Sequence, residues 1–372
     1  MNASLKPYKL GSIIEPVRIR CGESTPEVVG IDINHSFIPT RANLSGVDTT
    51  KYLVVPTGCF ACNLMHIGRD ERIPLAYNDT GKDLVITPAY YVFRVKTEME
   101  TRVVPNYLYL YLCRQETDRY TWFCTDSSIR GNLPESRLLD IEIPVPDIEI
   151  QRQLVNVWEG LNNMKQDNEA QAEPLMELCM SYLKKLSKEY ASQKIGQYIL
   201  EFDTRNSGDE DLPVLGLNRE KVFIPTAANL SGVDLKKYKV IKNGDFVFSG
   251  MQTGRDVCIR LSLYAESSSA LVSPAYTTFR INSETILPEF FYLQFLQPEM
   301  DRYGAFISDS SVRANLDWPR FLDISIPIPP KPIQQAVVDI FNCAKESKSI
   351  VEQAEQLRKI AGPALMQKAI NY

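Results

Sequence analysis

Phe37-Ile38-Pro39-Thr40-Arg41-Ala42-Asn43-Leu44-Ser45-Gly46-Val47-Asp48 returns as Phe223-Ile224-Pro225-Thr226-Ala227-Ala228-Asn229-Leu230-Ser231-Gly232-Val233-Asp234, a shift of 186 residues. Gly68-Arg69-Asp70 and Pro88-Ala89-Tyr90 recur at the same interval, as Gly254-Arg255-Asp256 and Pro274-Ala275-Tyr276. Further on, Asp118-Arg119-Tyr120, Asp126-Ser127-Ser128 and Ile143-Pro144-Val145-Pro146 recur 183 residues later as Asp301-Arg302-Tyr303, Asp309-Ser310-Ser311 and Ile326-Pro327-Ile328-Pro329, so three residues have been lost between the blocks. Small stacking repeats run roughly 20 to 50 residues, so a period this long is a whole domain. Two similar domains in one chain imply a pseudo-symmetric molecule suited to a target that also has two halves.

Composition fits that division. At 372 residues, 44% hydrophobic and 23% charged, the chain is long enough for two globular domains with their own cores. It has no apolar run long enough to span a membrane. Met1-Asn2-Ala3-Ser4-Leu5-Lys6-Pro7 lacks the apolar stretch of a secretory signal. Of eight cysteines, Cys59, Cys62, Cys113 and Cys124 have no cysteine counterparts in the second copy, which argues against a shared disulfide framework and for a reducing cytoplasm. The net charge of −5 does not advertise a nucleic-acid partner, but attraction to polyphosphate depends on local clusters rather than on whole-chain charge.

Each copy closes on an apolar run with alternating prolines, Ile141–Pro146 and Ile324–Pro330, read as an edge strand leaving a domain because proline cannot donate a ladder hydrogen bond. A glutamine-, glutamate-, lysine- and leucine-rich stretch follows each. Its apolar residues fall at alternating steps of three and four: Leu154, Val157, Leu161, Met164, Leu175, Leu178 and Tyr182 in the first, and Val337, Ile340, Ala344, Val351, Ala354, Ala361 and Leu365 in the second. That is coiled-coil spacing, interrupted at Asn168 and Gln171 and at Ser347 and Arg358. A lone helix cannot bury such a seam, so the two are expected to pair, through seams that include Leu154, Val157 and Leu161 on the first helix and Val337, Ile340 and Ala344 on the second. Pro174 and Pro363 should kink or break them. Pro105 and Pro288 are read as first helical residues before Tyr107–Leu112 and Phe290–Leu293, whose aromatics are assigned to the core. The expected fold is α/β: mixed domains at 1–149 and 191–331, each followed by a long helix, at 150–190 and 332–372, the helices forming an antiparallel coiled coil in a pseudo-twofold arrangement.

This order of parts resembles the specificity (S) subunit of type I restriction-modification systems over essentially the whole chain. The closing Ile-Pro-x-Pro run is followed, as in that family, by a glutamine-initiated helix, Gln151-Arg152-Gln153 and Gln334-Gln335, although isoleucines 150 and 333 stand where family members usually carry glutamate. The resemblance implies a non-catalytic protein in which each target-recognition domain reads one half of an interrupted double-stranded DNA sequence. It would hold methyltransferase (M) subunits, two of them, and restriction (R) translocase-nuclease subunits. S-adenosylmethionine, ATP and magnesium would then belong to those partners, and the chain itself would carry no cofactor. Geometry agrees: about 40 helical residues span at most ~60 Å, and half-sites one turn apart lie ~34 Å from centre to centre.

Candidate DNA contacts are Arg69, Arg72 and Arg255, in Gly68-Arg69-Asp70-Glu71-Arg72 and Gly254-Arg255-Asp256. Glycine permits a tight loop and arginine offers a bidentate fork, the bland alternative being an Arg–Asp pair that fastens a turn. Arg130 with Asn132 and Arg313 with Asn315 come next, in serine-rich loops suited either to phosphate and base edges or to an aspartate-capped turn. Lys236, Lys237 and Lys242 form the compact basic cluster, whereas Asn43, Ser45, Asn229 and Ser231 read as turn residues. Cys59-Phe60-Ala61-Cys62 with His66 has metal-like spacing but no fourth ligand nearby, so no metal is expected. With only His35 and His66 there is no duplicated histidine-based catalytic site, and no Gly-x-x-x-x-Gly-Lys-Ser/Thr loop or Asn/Asp-Pro-Pro-aromatic tetrapeptide occurs. Rival readings are an enzyme with duplicated active sites, a subunit of a methylation-only or type II-like system, and a helical protein scaffold without DNA contact.

Overall fold

The structure, a computed structural model, describes residues 7–23, 27–40, 42–65, 67–126, 128, 131–207, 212–309 and 311–370, in backbone alone at 68, 69, 361, 363, 369 and 370. The chain divides into two compact units, Met1–Gln166 with Val351–Tyr372, and Asp167–Ile350. Both are mixed α/β, and both are built to one plan.

In the first unit an antiparallel sheet runs in the order Ile14–Pro16, Tyr90–Val95, Phe60–Asn63, Leu75–Tyr77. In the second the corresponding order is Ile199–Phe202, Thr277–Ile281, Phe246–Ser249, Arg260–Leu263. The same ring pair stacks at the centre of each sheet: Phe60 on Phe93 at 4.9 Å, and Phe246 on Phe279 at 5.0 Å. Helices Pro105–Leu112 and Pro288–Phe295 each start on the predicted proline, where the missing N–H would be unpaired in any case, and bury Tyr107, Phe290 and Phe291 completely. The proline-rich closing runs do form edge strands, Glu142–Ile143 pairing with Tyr8–Lys9 and Ser325–Pro327 with Ser192–Lys194.

Two long helices follow these edges, Ile148–Glu189 and Lys331–Ile370. Each contributes a stretch to each unit. Pro174 does not break the first, nor Pro363 the second. Pro174 is exposed, so water can reach the carbonyl that its ring leaves without a donor. Within the first unit the helices run antiparallel: Val155 shares a core cluster with Met366, Arg358 lies 5.3 Å over the Trp158 ring, and Lys165 lies beside Glu355. Within the second, Cys179, Leu183 and Leu186 pack with Val337, Val338, Phe290 and Leu293. Val337 and Ala344 are buried, Ile340, Leu154 and Leu161 half-buried, and Val157 is 46% exposed, outside the packed face on which its spacing puts it. On the first helix the buried stripe departs from the heptad reading, with Cys179 and Leu183 inside and Leu178 52% exposed. The stripe turns because this helix must cover both its partner helix and the globular domain.

The glutamine that opens each long helix is wholly buried and fastens it to its domain. Gln151 accepts from Val104 N at 2.9 Å and donates to the carbonyls of Arg102 and Pro146, both at 2.7 Å. Gln334 repeats this, accepting from Leu287 N at 2.9 Å and donating to Thr285 O at 2.7 Å and Pro329 O at 2.8 Å.

Candidate nucleic-acid interface

In the second unit the two arginine-bearing motifs meet. Gly254 N donates to Ala314 O at 2.8 Å, Leu316 N to Gly250 O at 2.8 Å, and Gln252 N to the side-chain oxygen of Asn315 at 2.9 Å. The approach is so close that a Cβ on Gly254 would lie 2.7 Å from that of Ala314, and one on Gly250 only 1.8 Å from Leu316 O. Gln252, Val257 and Ala314 all take the left-handed conformation, with φ of 60°, 49° and 48°. For β-branched Val257 that is a strained state, of the kind surrounding structure must hold in place.

Asp256 sets the charge of this loop. Its side chain is 3% exposed and gathers three guanidinium groups: Arg255 at 2.9 Å, Arg219 at 3.0 Å and Arg260. The hydrogen bond from Arg255 is the main reason its carboxyl is held below the usual range, with the charges of Arg219 and Arg260 adding to it. Arg255 also donates to the Gln252 side chain at 2.6 Å. It is therefore the turn fastener of the bland reading, yet it stays 56% exposed beside Arg219 at 62%. Three cations on one anion leave local positive charge.

The serine-rich loop is a frame with a free tip. Asp309 accepts from Ser311 N at 3.1 Å, Ser311 Oγ at 2.5 Å and Asn315 N at 3.0 Å, bonds that hold its carboxyl below the usual range. Asp126 repeats the frame on Ser128 N, Ser128 Oγ and Asn132 N, at 3.1, 2.5 and 3.0 Å. Asn132 and Asn315 are thus loop fasteners. Between the fastened ends Val312 is fully exposed, and exposed Arg313 pairs with nothing among the described residues. Beside each loop stands an exposed aromatic pair that sequence reasoning missed: Tyr303 and Phe306, 45% and 84% exposed, and Tyr120 and Phe123, 48% and 77%. Its signal was in the sequence, as aromatics three apart in both copies of the Asp-Arg-Tyr block.

The first unit holds its loops by the same bond, Leu133 N to Leu64 O at 2.8 Å, with different side chains around it. At the positions of Arg219 and Arg260 stand Ile33 and Pro74. Arg72 turns back to donate to Ile33 O at 3.3 Å. Arg130 and the Arg69 side chain lie outside the described residues. Lys236 and Lys237 sit on a short helix, Leu235–Lys237, capped by Asp234, which accepts from Lys236 N and lies 3.9 Å from Lys237 Nζ. Asn43 and Asn229 make the expected turns, accepting from Ser45 N at 3.0 Å and Ser231 N at 2.9 Å. Cys59, in the turn before strand Phe60–Asn63, and Cys62, within that strand, belong to different core clusters, and His66 lies outside the described residues. Burial raises both thiols. Among the described residues no helix is long and apolar enough to cross a membrane.

Residues 192–357 match the family model described as Type I restriction modification DNA specificity domain. Among solved structures, the type I restriction-modification system S subunit from M. genitalium aligns with a TM-score of 0.59 and 12% identity, over 98% of this chain and 95% of that one. The HsdS subunit from Thermoanaerobacter tengcongensis aligns with a TM-score of 0.43 and 16% identity, over 100% and 97%. Among curated proteins no sequence matches. Residues 192–357, most of them in the second unit, are thus similar to a type I restriction modification DNA specificity domain, and the first unit repeats the sheet order of the second.

Proposed function

We propose that this chain reads a two-part DNA target, one half per unit, as the non-catalytic specificity component of a type I restriction-modification assembly, and that it holds methyltransferase and restriction subunits on that target. The observation that supports this best is the repeated loop pair: one backbone frame, duplicated, with different side chains on it. Arg219, Arg255 and Arg313 cluster on the frame in the second unit, where the first has Ile33 in place of Arg219. A conserved frame positions and variable tips specify, the division of labour found between phosphate and base contacts. Exposed Phe306 and Phe123 suit insertion between base steps or packing on sugars. S-adenosylmethionine, ATP and magnesium would act on the partner subunits, in the cytoplasm.

Co-expression with a methyltransferase subunit, followed by mapping of methylated adenines across the host genome, tests the reading. The expected result is one two-part motif. Arg313→Ala should relax base preference in one half, at roughly 1–3 kcal/mol of discrimination. Phe306→Ser should weaken DNA binding without lowering the melting temperature. Methylation without a two-part motif, or methyl transfer by the isolated chain, would overturn it.

A further inference from the structure

The tip of one hairpin is built alike in both units and carries unlike side chains. In the second unit, residues 218–222 join strands Val214–Leu217 and Phe223–Pro225. The turn is closed by Lys221 N to Asn218 O at 3.3 Å and Asn218 N to Val222 O at 3.2 Å, and Asn218 Oδ1 accepts from Val222 N at 2.9 Å. In the first unit, residues 32–36 join Val29–Ile31 and Phe37–Pro39 by the same bonds: His35 N to Asp32 O at 3.3 Å, Asp32 N to Ser36 O at 3.0 Å, and Ser36 N to Asp32 Oδ1 at 3.0 Å. The residue after the asparagine or aspartate is Arg219 in one tip, its side chain 62% exposed, and Ile33 in the other, 54% exposed. One presenting position is thus offered twice, with a different side chain on it each time.

Arg219 is aimed as well as exposed. Its Nη2 lies 3.0 Å from Oδ1 of Asp256, a carboxylate that is itself 3% exposed. The other carboxylate oxygen takes Arg260, 20% exposed on strand Arg260–Leu263, and Arg255 completes the set through Nε at 2.9 Å. Arg255 also spends Nη2 on Gln252, whose own N–H is fastened to Asn315. It has therefore committed the two nitrogens of one fork edge, whereas Arg219 meets its anion through Nη2 alone and keeps Nε and Nη1 unpaired among the described residues. None of the three arginines pairs with a second carboxylate among those residues, and exposed Glu220, next along the chain, makes no ion pair there. A guanidinium held in place with N–H groups to spare loses little rotamer freedom when it meets an acceptor. Guanine presents two acceptors side by side in the major groove, O6 and N7, and a bidentate arginine is their commonest partner. In the first unit Pro74 replaces Arg260 and Arg72 turns back to the Ile33 carbonyl, so that tip offers an apolar side chain with no donor of its own.

We propose, resting on the two-part DNA reading above, that Arg219 reads a guanine in the half-site of the second unit, with Asp256 as the positioning residue that aims it. Ile33, at the tip of the first unit, makes no such demand on the other half.

The test uses the full chain co-expressed with its methyltransferase subunit, first by mapping methylated adenines and then by binding of the purified complex to duplexes of the motif. One half of the motif should contain a guanine whose preference over other bases, roughly tenfold or more, falls below about twofold in Arg219→Ile, which copies the first unit, while the other half is unchanged. Each guanine of the motif is next replaced in turn by 7-deazaguanine, which lacks the N7 acceptor. At one of them the wild-type complex should bind about tenfold more weakly, and the Arg219→Ile complex should be indifferent. Asp256→Asn should relax that same position and no other, a readout that a loop fastener alone would not move. Should either variant misfold, Arg219→Gln or Asp256→Glu takes its place. A two-part motif with the guanine preference intact in the folded Arg219 variant, or equal sensitivity of both complexes to 7-deazaguanine, would overturn the proposal and leave the two-part reading standing. So would binding that weakens uniformly across sequences with a salt slope lower by about one, the mark of a phosphate contact. An unchanged preference in the folded Asp256 variant would overturn the aiming role, and the absence of any two-part motif would overturn both readings.

Discussion

His35 and Lys221 occupy the same place in the two units and do unequal work there. Both sit at positive φ, 64° and 61°, and each offers its carbonyl to a tyrosine hydroxyl, from Tyr109 at 2.8 Å and Tyr292 at 2.9 Å. Each faces an aspartate that also takes a backbone N–H, Asp118 from Ile73 at 3.2 Å and Asp301 from Ile259 at 2.8 Å. Lys221 reaches further, bonding to both oxygens of Asp301 and to Phe295 O, whereas His35 Nε2 stops 3.6 Å from Asp118. The turn is common to both copies, but one is fastened by three bonds to an ammonium and the other by a single long contact to a ring. Duplication has kept the frame and let its ties diverge.

The comparison breaks most decisively at that tie. Lys221→Met should destabilise the second unit by about 3–5 kcal/mol, because it strands the carboxylate of a largely buried pair. His35→Met should cost about 1–2 kcal/mol in the first. Hydrogen exchange followed unit by unit measures both, and equal losses would mean that the two turns are equally tied. At the helix starts the units are alike, so Gln151→Leu and Gln334→Leu should each cost about 2–3 kcal/mol, each leaving one buried and two part-buried backbone groups without their partner. Unequal losses would show that the joints have diverged as well. A milder divide separates Gly250 from Leu64, its counterpart in the repeat. Gly250→Ala should cost about 1–3 kcal/mol by forcing Leu316 away, whereas Leu64→Met should cost under about 1 kcal/mol.

The smallest effect is set by pH. The Asp256 carboxyl is depressed, so its contribution is complete above the ordinary carboxylate value and is lost as pH falls through the depressed one. Amide exchange over Gln252–Val257 should therefore quicken below about pH 4. The first unit, with Ile33 and Pro74 in place of two of the arginines, should respond less.

Much of the architecture was legible in the sequence because repetition and periodicity are local properties. Pro105 and Pro288 marked helix starts, and the closing prolines marked edge strands. The buried stripe of the first long helix was misread by one position near Leu178, since a helix with two neighbours has two faces and a heptad describes one. Gly254 was read as a loop-former, but its reason is the approach of Ala314 sixty positions along the chain. The tie between Lys221 and Asp301 joins residues that nothing local connects, although both belong to segments aligned by the repeat.

The glutamine joints carry a consequence for how this chain tolerates change. Gln151 and Gln334 grip only main-chain atoms, a donor at the start of the helix opened by Pro105 or Pro288 and two carbonyls. A grip of that kind is blind to side-chain identity. Arg102 and Val104 can differ from Thr285 and Leu287, as they do here, with docking unchanged. The joint is in effect a standard fitting, demanding one invariant residue and leaving everything it clasps free to drift.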